Sequence, residues 1–95
     1  MNQPQRNVQV KVTDEVMKGA YANMMQVSHT REEFVLDFMN VLPPGGIVTS
    51  RIITSPGHLK RIIRALQENV KAYEQSHGEI AESKVPEQSF GFDTK

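Results

Sequence analysis

Apolar and polar side chains alternate from residue 7 to residue 13, with Val8, Val10 and Val12 on one side and Gln9 and Lys11 on the other. A period of two predicts a half-buried strand. Residues 14–20 carry two patterns at once. Asp14, Lys18 and Gly19 suit a turn or a short helical turn, whereas Val16, Ala20, Met24 and Val27 fall at helical spacing behind Thr13 or Asp14 as a cap. The turn is the preferred reading, followed by a second strand over residues 21–28 and a polar connection over 28–32. In a third strand over 34–42, Phe34, Leu36, Phe38 and Leu42 share one face, and Val35, Met39 and Val41 share the other with Asp37. Pro43-Pro44-Gly45-Gly46 lacks backbone donors and admits positive φ, so it forms a hairpin loop into a fourth strand over 47–54. There Ile47 and Ile53 oppose Val48 and Ile52.

A helix begins cleanly after that strand. Ser55 is suited to capping free amides and Pro56 to the first helical position. From His58 to about Ser76, Leu59, Ile62, Ile63, Leu66, Val70 and Tyr73 recur at steps that gather them on one stripe, and Gly78 ends the run. Burying these six side chains would contribute about 9–18 kcal/mol before entropy is counted. The expected fold is α+β: a four-stranded antiparallel meander followed by one long C-terminal amphipathic helix. Residues 7–78 form the single domain, residues 1–6 a disordered N-terminus, and residues 79–95 a flexible, acidic-leaning tail. Phe90 and Phe92 in that tail are either incidental or a short docking motif.

The third and fourth strands are apolar on both faces, whereas an antiparallel sheet with one wet face alternates cleanly. One helix covers one face, expected to be the Phe34 side. Val35, Met39, Val41, Val48 and Ile52 are therefore the candidate oligomer face, meeting a second copy in a homodimer or tetramer. The competing reading covers that face with the tail or with residues 14–20 of the same chain.

Composition narrows the chemistry. A 95-residue chain holds one small core, and its formal net charge of zero gives no global pull toward nucleic acid or anionic membrane. The absence of cysteine excludes disulfides, thiolate metal sites and thiol nucleophiles, and favours an intracellular, cytoplasmic setting. The polar first residues lack an apolar signal-peptide region, and no apolar run approaches a membrane span. His29, His58 and His77 have no metal-ligand spacing, Ser28-His29 lacks a nucleophile elbow, and the Pro-Gly loop lacks a phosphate-loop lysine. No cofactor is expected, and the chain is expected not to be an enzyme. Asp37 is expected to pair with Arg51 across the sheet. Lys60, Arg61 and Arg64 stand in the first half of the helix, where the macrodipole disfavours cations. With His58 and Arg51 they are the candidate anion-binding residues, against the plainer reading of a solvated face balanced by acids from another element. Glu68 is placed to pair with Arg64.

Gly19-x-Tyr21-x-Asn23, Ser28-His29-x-x-Glu32-Glu33-Phe34-Val35-Leu36-Asp37-Phe38, Ser50-Arg51-Ile52-Ile53-x-Ser55-Pro56-x-His58 and Ala65-Leu66-Gln67-Glu68-Asn69 with Tyr73 together resemble a family of small bacterial, archaeal and phage proteins, the domain of unknown function 3467. The resemblance spans about residues 8–76. It implies the fold and carries no activity, cofactor or catalytic residue. The expected topology is similar to that of SecB-type export chaperones, an analogy of fold that does not imply function. Two functions compete. The first is a non-enzymatic oligomeric interaction module, chaperone-like in binding extended polypeptide or acting as an accessory adaptor. The second is a ribbon-helix-helix or anion- and nucleic-acid-binding protein, in which 7–13 pairs across a dimer and 14–27 is the first helix.

Overall fold

A computed structural model describes residues 7–84. The expectations for residues 1–6 and for Phe90 and Phe92 lie outside the described residues. Five elements follow in order: α1 (Asp14–Met17), β1 (Met24–His29), β2 (Phe34–Leu42), β3 (Gly45–Thr54) and α2 (Pro56–His77). The three strands form one antiparallel sheet in the order β1-β2-β3. The α+β class and the long C-terminal helix are as expected, but the meander has three strands among the described residues, not four.

The difference lies at residues 7–13. Val8, Val10 and Val12 keep their alternation, yet no strand among the described residues pairs with them and all three are exposed. A strand pattern sets which side chains face a core; it does not supply a neighbour. Thr13 instead ends this arm by capping α1, its Oγ1 accepting from Val16 N at 3.3 Å. Gly19, at φ +75°, then takes the left-handed backbone that a residue with a Cβ rarely adopts. Because Met24–His29 is a strand, the helix over 14–27 that the ribbon-helix-helix reading requires is not formed.

β1 begins at Met24, not at Tyr21: at Asn23 the backbone N–H still donates to Met39 O at 3.0 Å, but the bonds to Val41 come from the side chain. Asn23 Nδ2 donates to Val41 O and Val41 N donates to Asn23 Oδ1, both at 2.8 Å. The carboxamide thus stands in for a peptide group and extends the β1–β2 ladder. The other end is a tight hairpin: Thr30 N donates to Glu33 O at 2.9 Å, and Thr30 Oγ1 accepts from Glu32 N and Glu33 N. The β2–β3 loop is Pro43-Pro44, joined by a cis peptide bond. Behind it, a Cβ on Gly46 would come within 3.2 Å of Val41 Cγ2, so only glycine fits without displacement.

A β-bulge interrupts β3. Phe38 lies opposite Ser50 and Met39 opposite Val48, which leaves Thr49 as the extra residue. Its Oγ1 donates to Phe38 O at 3.0 Å. The bulge corrects the face assignment of the fourth strand. Val48 lies beside Met39 on one face, while Ile52 lies beside Leu36 on the other.

The buried apolar side chains, Leu36, Met39 and Val41, all belong to the central strand. α2 adds none. Its N-cap is as expected, with Ser55 Oγ accepting from His58 N at 3.2 Å and Pro56 in the first turn, and Gly78 at φ +90° closes the C-terminus. Only Leu59, Ile62 and Glu74 along the helix are half-buried. The extensive packing between elements is strand on strand, so the expected covering of the Phe34 face by the helix is not observed.

Candidate interaction surfaces

The centre of one sheet face is closed by charge. Asp37, 5% exposed, sits on β2 directly across from Arg51 on β3. Arg51 Nε donates to Asp37 Oδ1 at 2.7 Å and Nη2 to Oδ2 at 3.0 Å, a bidentate fork. These bonds are the largest cause holding the Asp37 carboxyl below its usual range; burial pushes it up and the charge of Arg51 pulls it further down. A carboxyl depressed by folding contributes stability above the unfolded carboxylate pKa, and that contribution is lost as pH falls through the folded value. Acidification below the ordinary carboxylate range is therefore expected to lower the urea midpoint, and less steeply in Asp37→Asn. Equal acid slopes in the two proteins would show that other carboxylates carry the dependence.

The expected Asp37–Arg51 pair is formed, so the Arg51 guanidinium is engaged by Asp37. His58, Lys60, Arg61 and Arg64 are exposed on α2, and among the described residues no carboxylate is in ion-pair contact with them; the Arg64–Glu68 pair is not closed. The oligomer face is also divided. Met39 and Val41 are already buried in the single chain, Val35 is half-buried, Val48 is exposed beside Met39, and Ile52 is exposed on the opposite side. Residues 14–20 approach the sheet, lining a shallow cleft with Thr49 and Ser50, but Val16 and Met17 remain exposed.

The apolar surface left open lies elsewhere. One part is the stripe of α2. The other is the edge of β1. From the Thr30–Glu33 bond, bonded pairs alternate along the hairpin, so the N–H and C=O groups of Met25, Val27 and His29 point away from β2. The Met25 and Val27 side chains beside them are exposed, and the His29 ring stacks on Phe34 with centroids 5.1 Å apart. Edge strands are ordinarily defended by charges, prolines or bulges. β3 has the bulge at Thr49 and the charge of Arg51, whereas β1, Met-Met-Gln-Val-Ser-His, has no such device. The undefended edge was not identified from the sequence. The absence of Lys, Arg, Asp, Glu and Pro from residues 19–30 is the signal that would have marked it.

Among the described residues no three His, Asp or Glu side chains converge as a metal site, and no helix is long and apolar enough to cross a membrane. Among the described residues, the fold and these surfaces define a small α+β protein with an open sheet edge and an unpartnered helix. The chain belongs to the family described as Protein of unknown function (DUF3467), whose model matches residues 1–82. The match takes in the arm at 7–13 and runs beyond the helix, further than the motifs alone extend. No curated protein and no solved structure matches the chain, so the SecB-like arrangement finds no support.

Proposed function

We propose that this chain is a non-enzymatic, self-associating interaction module that takes an extended polypeptide as an added strand along β1. The observation that carries the reading is the undefended β1 edge, with outward backbone groups at Met25, Val27 and His29 flanked by exposed Met25 and Val27. Strand addition draws affinity from main-chain hydrogen bonds and specificity from alternate side chains. A suitable occupant has apolar residues at every second position. Residues 7–13 of the chain itself have that pattern and are unpaired.

A synthetic peptide of residues 7–13, titrated into the protein, tests the reading. Val27→Pro removes an N–H that points away from β2, so the β1–β2 ladder stays intact while the outer edge loses a donor and gains a ring. Binding of the peptide is expected to weaken at least about tenfold, the equivalent of one lost hydrogen bond with its clash. A Val27→Pro protein with native circular dichroism and undiminished peptide affinity would remove the edge from consideration. Self-association is read separately, by sedimentation equilibrium.

A further inference from the structure

Leu59, Ile63, Leu66, Val70 and Tyr73 succeed one another at steps of 4, 3, 4 and 3, and His77 stands four residues further on. That alternation repeats every 3.5 residues on average, the spacing of a seam between two helices. In the structure Ile63, Leu66, Val70 and Tyr73 are 47%, 61%, 46% and 52% exposed, and α2 has no buried residue. A row of apolar side chains at seam spacing, in solvent along half of a 22-residue helix, is a surface without a partner among the described residues.

The charges say which partner. Residues 56–66 hold Lys60, Arg61 and Arg64 and no acid; the rest of the helix, residues 67–77, holds Glu68 and Glu74 against Lys71, and Glu79 and Glu82 follow just beyond its end. The cations therefore lie in the half of the helix where its own dipole repels them, and Glu74 in the last turn, where the dipole repels anions. We propose that α2 packs antiparallel against α2 of a second copy of this chain. In that arrangement each basic half lies along an acidic half, and the two dipoles oppose. A parallel pair would set the cations beside their own copies. With Leu66 facing the second copy's Val70, Ile63 faces Tyr73 and Leu59 faces His77. Lys60, Gln67 and Glu74 line one flank of the stripe, so Lys60 meets the second copy's Glu74 twice per dimer. Glu74 Oε2 accepts from Ile80 N at 2.9 Å, which steadies the carboxylate and leaves its other oxygen for the lysine.

This inference rests on the self-association part of the proposed function and names the surface that performs it. Sedimentation equilibrium of the full chain tests it with four variants. Leu66→Glu, at a residue exposed in the single chain, is expected to raise the dimer dissociation constant at least about 100-fold, as removal of a central seam side chain does, with helix content and urea midpoint of the monomer retained. Lys60→Glu and Glu74→Lys are each expected to weaken the dimer about tenfold, and the double variant to return within about threefold of the original, the signature of a direct charge pair. A dimer indifferent to Leu66→Glu, or one that the double variant fails to restore, would overturn the antiparallel seam while leaving self-association standing. A chain that stays monomeric at millimolar concentration would overturn both.

Discussion

Met39→Ala is expected to destabilise the fold by about 2–5 kcal/mol, the range for truncating a buried methionine or leucine to alanine. Met39 is 3% exposed, the most buried of the three apolar side chains that make up the core among the described residues. It sits on the central strand with Met24 on one side and Val48 on the other, so the lost volume opens between two neighbours fixed by their own ladders. Small domains commonly have about 5–15 kcal/mol in total, so the loss is a large share. Met39→Leu, which conserves volume, is expected to cost less than about 1.5 kcal/mol. Urea unfolding followed by far-ultraviolet circular dichroism measures both. A loss below about 1 kcal/mol for the alanine variant would show that the site collapses and that Met39 is not the centre of the core.

Asn23→Ala is expected to cost about 2 kcal/mol, although residue 23 is itself exposed. The cost falls on Val41, a buried residue whose N–H and C=O both take their partner from the Asn23 carboxamide. Removing it leaves one donor and one acceptor short at the end of the sheet. Asn23→Asp keeps the acceptor for Val41 N but sets a carboxylate against Val41 O, and is expected to be no better than alanine. Hydrogen exchange at the Val41 amide is the direct readout: its protection should fall in Asn23→Ala, whereas Asn23→Asp, which retains the acceptor, should keep it. A Val41 amide as slow to exchange in Asn23→Ala as in the original would show that the backbone, not the side chain, closes the ladder there.

The parts of the fold legible in the sequence are those fixed by local chemistry. Ser55, Pro56 and Gly78 bracket α2 because capping and positive φ are properties of single residues. Pro43-Pro44 marks the β2–β3 hairpin, although Gly45 and Gly46, expected in the loop, already pair within β3, and Asp37 on a mostly apolar strand points to a cross-strand arginine, which is Arg51. What stayed hidden depends on partners. Val8, Val10 and Val12 alternate as a strand does, but alternation is a statement about sides, and the hydrogen-bonding neighbour comes from elsewhere in the chain or from another molecule. The stripe of α2 suits a face for the sheet equally well; a 3.6-residue stripe and a 3.5-residue seam differ by about 20° per heptad, too little to separate by eye over about four turns. The Thr49 bulge was invisible for a third reason. Nothing in Val48-Thr49-Ser50 forbids regular pairing, and the displacement arises only once Phe38 is set against Ser50. The open edge of β1 went unread because it is defined by residues that are missing.

The extra residue at Thr49 has a consequence for which changes of length β3 can accept. Below it, Ile47 and Val48 are counted from the hairpin; above it, Ile52 and Ile53 are counted from the helix. The two counts have opposite parity, so a single insertion or loss elsewhere in β3 would turn one end inside out. A single residue can be lost at position 49 with both ends still facing as they do, because Val48 and Ser50 already sit opposite the adjacent residues Met39 and Phe38.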